Sequence, residues 1–274
     1  MVAVNFEIPV FGPGSVGVAV AQGATRLELN KVGSYVLGGT TPTIAELTSV
    51  MEYLANHTTH VVVRPMIRPR GPPPAPEPDF LYSEEEFDEM RQAIIQFKQS
   101  GQLREEKGDG FVFGILKLAG PERQGSRLVV DAERNAELVR LASPFKCVFH
   151  RAFDDLIGSA ETNARTVAWK QALSEVLECG FHGILTSGGP GNAPDNVDTV
   201  KAIVTEARDG PEIVIGGGVR STNVRQLAAA VATKDNGISH IWFHSSCLVS
   251  GHVSEAVNGE EVHKIVQELS AVSK

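Results

Sequence analysis

Cysteine is scarce in this 274-residue chain: Cys147, Cys179 and Cys247 are widely spaced and form no C-x-x-C pair. An odd, scattered set argues against a disulfide framework or a structural zinc module and suits a cytoplasmic protein with reduced thiols. Long apolar runs are also missing, so no segment reaches the roughly 20 residues that a membrane-spanning helix needs. The first residues, Met1 to Glu7, have neither the basic start nor the apolar stretch of a secretory signal. Positive charge is in deficit, with 25 Lys and Arg against 33 Asp and Glu and a net charge of −8. That balance gives no general attraction to phosphate backbones or anionic lipid, so neither nucleic acid nor membrane is expected as a partner. Hydrophobic residues at 42% and charged residues at 21% describe an ordinary globular chain.

What is present is alternation. Short β-rich segments are expected at Ala3–Pro9, Thr25–Asn30, His60–Arg68, Gly110–Leu116, Lys146–Arg151, His182–Thr186, Glu212–Gly216 and Ser239–His244. Helical patterns follow them at Ser15–Gln22, Thr43–His57, Glu84–Gln99, Ala132–Leu141, Ala160–Cys179, Asp195–Ala207, Thr222–Ala232 and Glu260–Val272. Thr43 with Glu46, and Ser83 with Glu86, have capping-box spacing, and Ser221 stands just before another helix. Eight βα units predict an α/β fold, a single TIM-type (β/α)8 barrel over residues 1–274, because closure removes both sheet edges. An open doubly wound sheet is the alternative. The proline-rich run at 71–78 reads as a stiff loop insertion, and Arg104–Asp109 as a solvated turn.

Strand alternation sorts the residues by face. Phe6, Ile8, Leu27, Leu29, Ile67, Ile241 and Phe243 should meet the helices, which points Glu7, Arg26, Glu28, Asn30, Met66, Arg68, Arg70, His240, Trp242 and His244 the other way. Ligands of a parallel barrel bind at the carboxyl ends of its strands. Strands eight, one, two and three are neighbours there, so Glu7, Glu28, Arg68 and His244 can converge. Carboxylates with imidazole suit acid–base catalysis or divalent-metal coordination. The alternative is an internal ion-pair network in which Arg26 or Arg68 neutralises Glu7 and Glu28.

Across the barrel, strand five ends in His150, Arg151 and Asp154: a general base or ligand, an anion grip, and a group to orient either. Two glycine-rich turns, Ser187-Gly188-Gly189 and Gly216-Gly217-Gly218, offer backbone N–H groups to a small anionic or hydroxyl-rich ligand, and Arg70 could add charge. Tight turning without a ligand is the alternative reading. Neither turn completes a Walker A or G-x-G-x-x-G pattern.

These passages resemble the CutC family, the so-called copper homeostasis proteins. The matching segments are GATRLELN (23–30), GGTTPT (38–43), MIRPRG (66–71), DFLYSEEEF (79–87), VFHRAFD (148–154), ILTSGG (184–189) and GGGV (216–219) with Asn223. The resemblance implies a TIM-type barrel, homo-oligomerisation and copper handling with Cu(I) binding, for which Glu28, His244 and Cys247 are the candidate ligands. Asn30 stands where relatives often have cysteine, and the insertion at 71–78 departs from their compact loop. The residues themselves equally suit an enzyme acting on a small phosphorylated or polyhydroxylated carbonyl compound, with acid–base or divalent-metal-assisted chemistry or no cofactor. Glu7, Glu28, His150 or His244 would then move protons.

Overall fold

The structure is a computed structural model and describes residues 5–57, 60–119, 127–161, 164–207, 210–232, 240–248 and 254–272. The chain runs through β1 (Phe6–Phe11), α1 (Val16–Ala21), β2 (Arg26–Asn30), α2 (Ile44–Asn56), β3 (Val62–Pro65), α3 (Glu84–Gln99) and β4 (Gly110–Phe113). It continues with β5 (Leu116–Ala119), β6 (Arg127–Val130), α4 (Ala132–Ala142), β7 (Lys146–Phe149), α5 (Ala152–Gly158), α6 (Arg165–Glu178) and β8 (Gly183–Thr186). The last elements are α7 (Val197–Glu206), β9 (Glu212–Ile215), α8 (Val224–Val231), β10 (Ile241–His244) and α9 (Gly259–Val272).

Eight strands pair in the order β3-β2-β1-β10-β9-β8-β7-β4, and each ladder is parallel. A parallel bridge between Met66 and Val112, with the Ile67 N–H donating to Val112 O at 2.8 Å, joins the two ends. The fold is thus a TIM-type barrel. Alternation along the strands explains its two apolar layers. Phe6, Ile8, Leu27, Leu29, Phe111, Phe149, Ile213 and Phe243 pack outward under the helices. Met66, Val112, Val148, Leu185 and Val214, with Trp242 against them, fill one side of the barrel interior. The other side is polar, because β1, β2, β3 and β9 turn Glu7, Arg26, Arg64 and Glu212 inward.

Both expected capping boxes form. Thr43 accepts from the Glu46 N–H while Glu46 accepts from that of Thr43, and Ser83 and Glu86 repeat the exchange. Each cap satisfies N–H groups that the first helical turn cannot pair, a contribution on the order of 1 kcal/mol. Ser221 behaves differently: its hydroxyl donates to Glu261 at 2.8 Å, and α8 starts after Asn223.

Several expected boundaries shift. The first strand runs on to Phe11, while Ala3, Val4 and Ser239 lie outside the described residues. The expected Gly110–Leu116 strand breaks at Gly114, where a Cβ would stand 2.9 Å from Nδ1 of His150, and an antiparallel β5–β6 hairpin follows. A short helix, α5, begins directly after Arg151, and the expected Ala160–Cys179 helix is α6, with 162–163 outside the described residues. Arg104–Asp109 is more than a solvated turn. Asp109 is buried, and its carboxylate accepts from the N–H groups of Val63 at 2.7 Å and Arg104 at 2.8 Å. The run at 71–78 connects β3 to Asp79 and Phe80, which fold onto the barrel top beside Arg68. Among the described residues no helix is long and apolar enough to cross a membrane.

Candidate active site

Register places the central groups. Glu7 on β1 lies opposite Arg26 on β2 and opposite His244 on β10. The Arg26 guanidinium pairs with Oε2 of Glu7, lies 3.6 Å from the Trp242 ring centroid, and reaches Glu212 at 2.5 Å. Arg64 binds the same Glu212 oxygen at 2.8 Å. On its other side, Oε1 of Glu7 is 2.6 Å from Nδ1 of His244. A chain of charge therefore runs from Glu212 through Arg26 and Glu7 to His244, from the amino-terminal ends of the strands toward the carboxyl-terminal mouth. Glu28 stands one inward position above Arg26 on β2. One donor atom each from Glu7, Glu28 and His244 lie within 4.8 Å of one another.

The three groups are tuned apart. Burial alone would raise the Glu7 carboxyl, but Arg26 and then His244 outweigh it and hold it at about 2. Burial would likewise lower His244, yet its bond to Glu7 and the charge of Glu28 leave the imidazole raised. Glu28 is raised, chiefly by burial, with Glu7 adding to the effect against His244 and Asn30. Its Oε1 accepts from Nδ2 of Asn30 at 3.0 Å, whereas Oε2 is buried with no partner among the described residues. A fixed anion, a favoured imidazolium and a carboxyl with a raised pKa thus stand in one group, the pattern expected of an acid–base site.

This group opens into a cavity of about 270 Å³ at the mouth, bordered by Pro9, Glu28, Tyr35, His244, Arg151, Arg220 and the Gly217–Val219 turn. Glu28 is only 4% exposed and the His244 side chain 13%, so a ligand entering here would complete their burial. A larger hollow of about 590 Å³ on the barrel flank, bordered by Thr48, Met51, Gln102 and Lys107, has no comparable convergence of tuned groups.

A model of the CutC family matches residues 4–242. The chain belongs to the CutC family. The copper homeostasis protein cutC homolog of Dictyostelium discoideum is 32% identical over 247 residues, covering 86% of this chain and 81% of that protein. A CutC family protein of Vibrio campbellii is 35% identical over 209 residues, covering 76% and 70%. The crystal structure of CutC from Streptococcus agalactiae superposes with a TM-score of 0.67 at 23% identity, over 89% of this chain and 98% of that one. Phosphoribosyl anthranilate isomerase from Thermotoga maritima shares the barrel at a TM-score of 0.56 and 13% identity, over 98% and 99%, a likeness of fold alone.

In this CutC-family barrel, Glu7, Glu28 and His244 meet as the strand parity requires. Arg68 does not join them. Its guanidinium donates to Leu37 O at 2.6 Å and Gly39 O at 3.0 Å and pairs with Asp79 at 2.6 Å. Arg70 is similarly committed, to Glu86 at 2.6 Å and Leu81 O at 2.6 Å, and staples the loop rather than facing the cavity. The ion-pair alternative holds for Glu7 only, since no cation pairs with Glu28 among the described residues. His150 sits apart, its ring 4.5 Å from that of Phe80, and burial, then Arg68, pushes its imidazole down to about 3.

Asp154 takes the first glycine turn for itself. Its carboxylate accepts from the N–H groups of Ser187 at 3.0 Å and Gly189 at 3.3 Å, the Ser187 hydroxyl at 2.8 Å and Thr186 Oγ1 at 2.5 Å, while Gly188 donates to Thr186. Ser187, Gly188 and Gly189 are therefore already satisfied internally, and no outside anion is needed there. In the second turn Gly216 donates to Thr186 O at 3.0 Å, but the N–H groups of Gly217, Gly218 and Val219 have no partner among the described residues. Cys247 is buried, and desolvation pushes its thiol up to about 12, outside the Glu7–Glu28–His244 cluster.

Sequence reasoning gave Arg64, Glu212 and Arg220 no role in the site. Parity could have found the first two, since Arg64 shares a face with Met66 and Glu212 lies opposite in parity to Ile213. Arg220 lies in a loop, where no periodicity points a side chain anywhere.

Proposed function

We propose that the barrel mouth is the active site of an enzyme acting on a small carbonyl or polyhydroxylated compound by proton transfer. The observation that carries this reading is the Glu28 carboxyl: buried, its pKa raised, with one oxygen lacking a partner among the described residues, and beside an imidazole that Glu7 biases toward its protonated form. Glu28 in its anionic form takes a proton from the substrate carbon next to the carbonyl. The electron pair of that C–H bond moves into the enol, and His244 donates a proton to the carbonyl oxygen as it gains charge. Nδ1 of His244 is engaged by Glu7, which leaves Nε2 for this task. Return of the proton from Glu28 to the neighbouring carbon, with the hydroxyl proton on the adjoining carbon passing back to His244 Nε2 as the new carbonyl forms, completes an isomerisation with no net proton change. The test is solvent deuterium exchange, followed by proton NMR, across a panel of small aldoses, ketoses and their phosphates. Wild type should exchange one substrate C–H, and Glu28→Gln should slow this by about 10²–10⁴-fold. A panel with no exchange, or equal exchange by the variant, overturns the reading.

Copper handling is a second reading, favoured by the name of the Dictyostelium relative and by the Glu7–Glu28–His244 donors within 4.8 Å. Two carboxylates and an imidazole suit Cu(II) or another divalent ion better than Cu(I), which prefers thiolate and thioether sulfur. The sulfur needed for Cu(I) is remote in chemistry: burial pushes Cys147 and Cys247 to about 12 and Cys179 to about 11. Glu7 is moreover already paired with Arg26. Dialysis against Cu(II), and against Cu(I) with a competing thiol, separates the cases. Stoichiometric metal lost in His244→Ala supports this reading, and no retained copper under either condition rejects it.

A further inference from the structure

The second glycine turn and two arginines at the mouth are unused by the proton-transfer chemistry. Gly217 and Gly218 have φ of +87° and +70°, which side-chain-bearing residues rarely adopt; both residues and Val219 border the cavity, and their N–H groups have no partner among the described residues. A Cβ on Gly217 would stand 3.3 Å from Nη1 of Arg151 and 3.0 Å from Cβ of Ser187. A Cβ on Gly216 would stand 2.7 Å from Cδ1 of Leu185 and 3.4 Å from Cδ2 of His244. The turn therefore packs closely against Leu185 and His244 at Gly216 and against Ser187 and Arg151 at Gly217, with little room for a side chain at either position.

Both arginines are held in place from behind. Arg151 donates through Nε to Asp154 at 2.8 Å and through Nη2 to Ser187 Oγ at 3.0 Å and Gly191 O at 3.2 Å, which leaves Nη1 beside Gly217. Arg220 donates through Nη1 to Val219 O at 2.8 Å and Ser245 Oγ at 3.1 Å, which leaves Nε and Nη2 without a described partner. Asp154 thus fills the first glycine turn and anchors the arginine that serves the second. Two arginines and a turn with three amides that lack a described partner therefore border one small cavity. A carboxylate offers two oxygens to such a set, whereas a phosphate ester offers three and a second negative charge.

From this geometry we infer that the Gly217–Val219 turn, Arg151 and Arg220 form a phosphate handle, and that the ligand is a small phosphate monoester whose short carbon chain runs toward Glu28 and His244. This deepens the enzyme reading and rests on it for the role of the carbon chain, though the handle itself is a binding site that stands alone. A cavity of about 270 Å³ falls below the roughly 300–1,000 Å³ of pockets for drug-sized ligands, which favours a compact monoester over a nucleotide.

Isothermal titration of the full chain with inorganic phosphate, glycerol 3-phosphate and adenosine monophosphate tests it. Inorganic phosphate and glycerol 3-phosphate should bind competitively, the ester more tightly, and adenosine monophosphate not at all. Arg220→Gln and Arg151→Gln should each weaken binding at least tenfold, while Arg225→Gln, at an exposed pair with Glu268, leaves it unchanged. Arg220→Gln spares the Asp154 network, and its unliganded melting temperature checks that the fold survives. No phosphate binding by wild type, equal binding by Arg220→Gln, or tight binding of adenosine monophosphate overturns the handle. Glu28→Gln separates the two readings: it should keep phosphate binding while losing deuterium exchange. Exchange by wild type without phosphate binding sinks the handle alone, and phosphate binding without exchange sinks the proton-transfer reading alone.

Discussion

His150 should make the protein sensitive to acid through one buried ring. Its Nδ1 accepts from the Ala152 N–H at 3.3 Å, its Nε2 is buried without a described partner, and Phe80 covers it. Protonation would put a cation into this apolar space near Arg68, and the imidazole is accordingly pushed from 6.5 down to about 3. The folded pKa lies below the unfolded value, so the unfolded chain takes up the proton first. The stabilising effect is fully present above pH 6.5 and is lost as the pH falls toward 3. At about pH 4.5 two of those pH units have been crossed, and at ~1.4 kcal/mol each the loss is roughly 3 kcal/mol. His150→Asn keeps a short polar acceptor but cannot titrate. Urea unfolding followed by circular dichroism at about pH 7 and pH 4.5 gives the comparison. Wild type should lose roughly 3 kcal/mol more than the variant between the two conditions. Equal losses would show that His150 is hydrated or paired in the folded state and would refute the reasoning.

Three further outcomes follow from the same groups. Glu28→Gln removes a carboxyl whose pKa is raised by burial; the charging penalty develops as pH climbs above 4.5, so the variant should gain stability over wild type at pH 8 but not at pH 3.5, read by thermal melts. Glu7→Gln removes one of the two carboxylates that pair with buried Arg26 and leaves Glu212, costing up to about 3 kcal/mol in chemical denaturation, and should lower the His244 imidazole pKa in NMR titration. A raised His244 pKa in that variant would contradict the assigned bond. Ellman's reagent should titrate none of the three thiols rapidly in the native protein and all three in denaturant, because Cys147, Cys179 and Cys247 are buried.

Sequence alone determined the barrel, because its signals are local and repeated. Outward Leu27, Leu29, Ile213 and Phe243 alternate with inward Arg26, Glu28, Glu212 and His244, and that two-residue period fixes which face of each strand meets the helices. The same rule brought Glu7, Glu28 and His244 into one group. It failed for Arg68 and Arg70, which have the right parity but stand beyond the last paired residue of β3, where long side chains follow their loop partners Asp79 and Glu86. It also could not tell an outside anion from Asp154, since a carboxylate on α5 meets the Ser187 and Gly189 amides only once β7 and β8 lie side by side. Tertiary structure alone decided that one glycine turn is filled from within and the other is bare. Charge and hydrogen-bond capacity can be read from residue types, but their satisfaction depends on contacts between residues far apart in the chain.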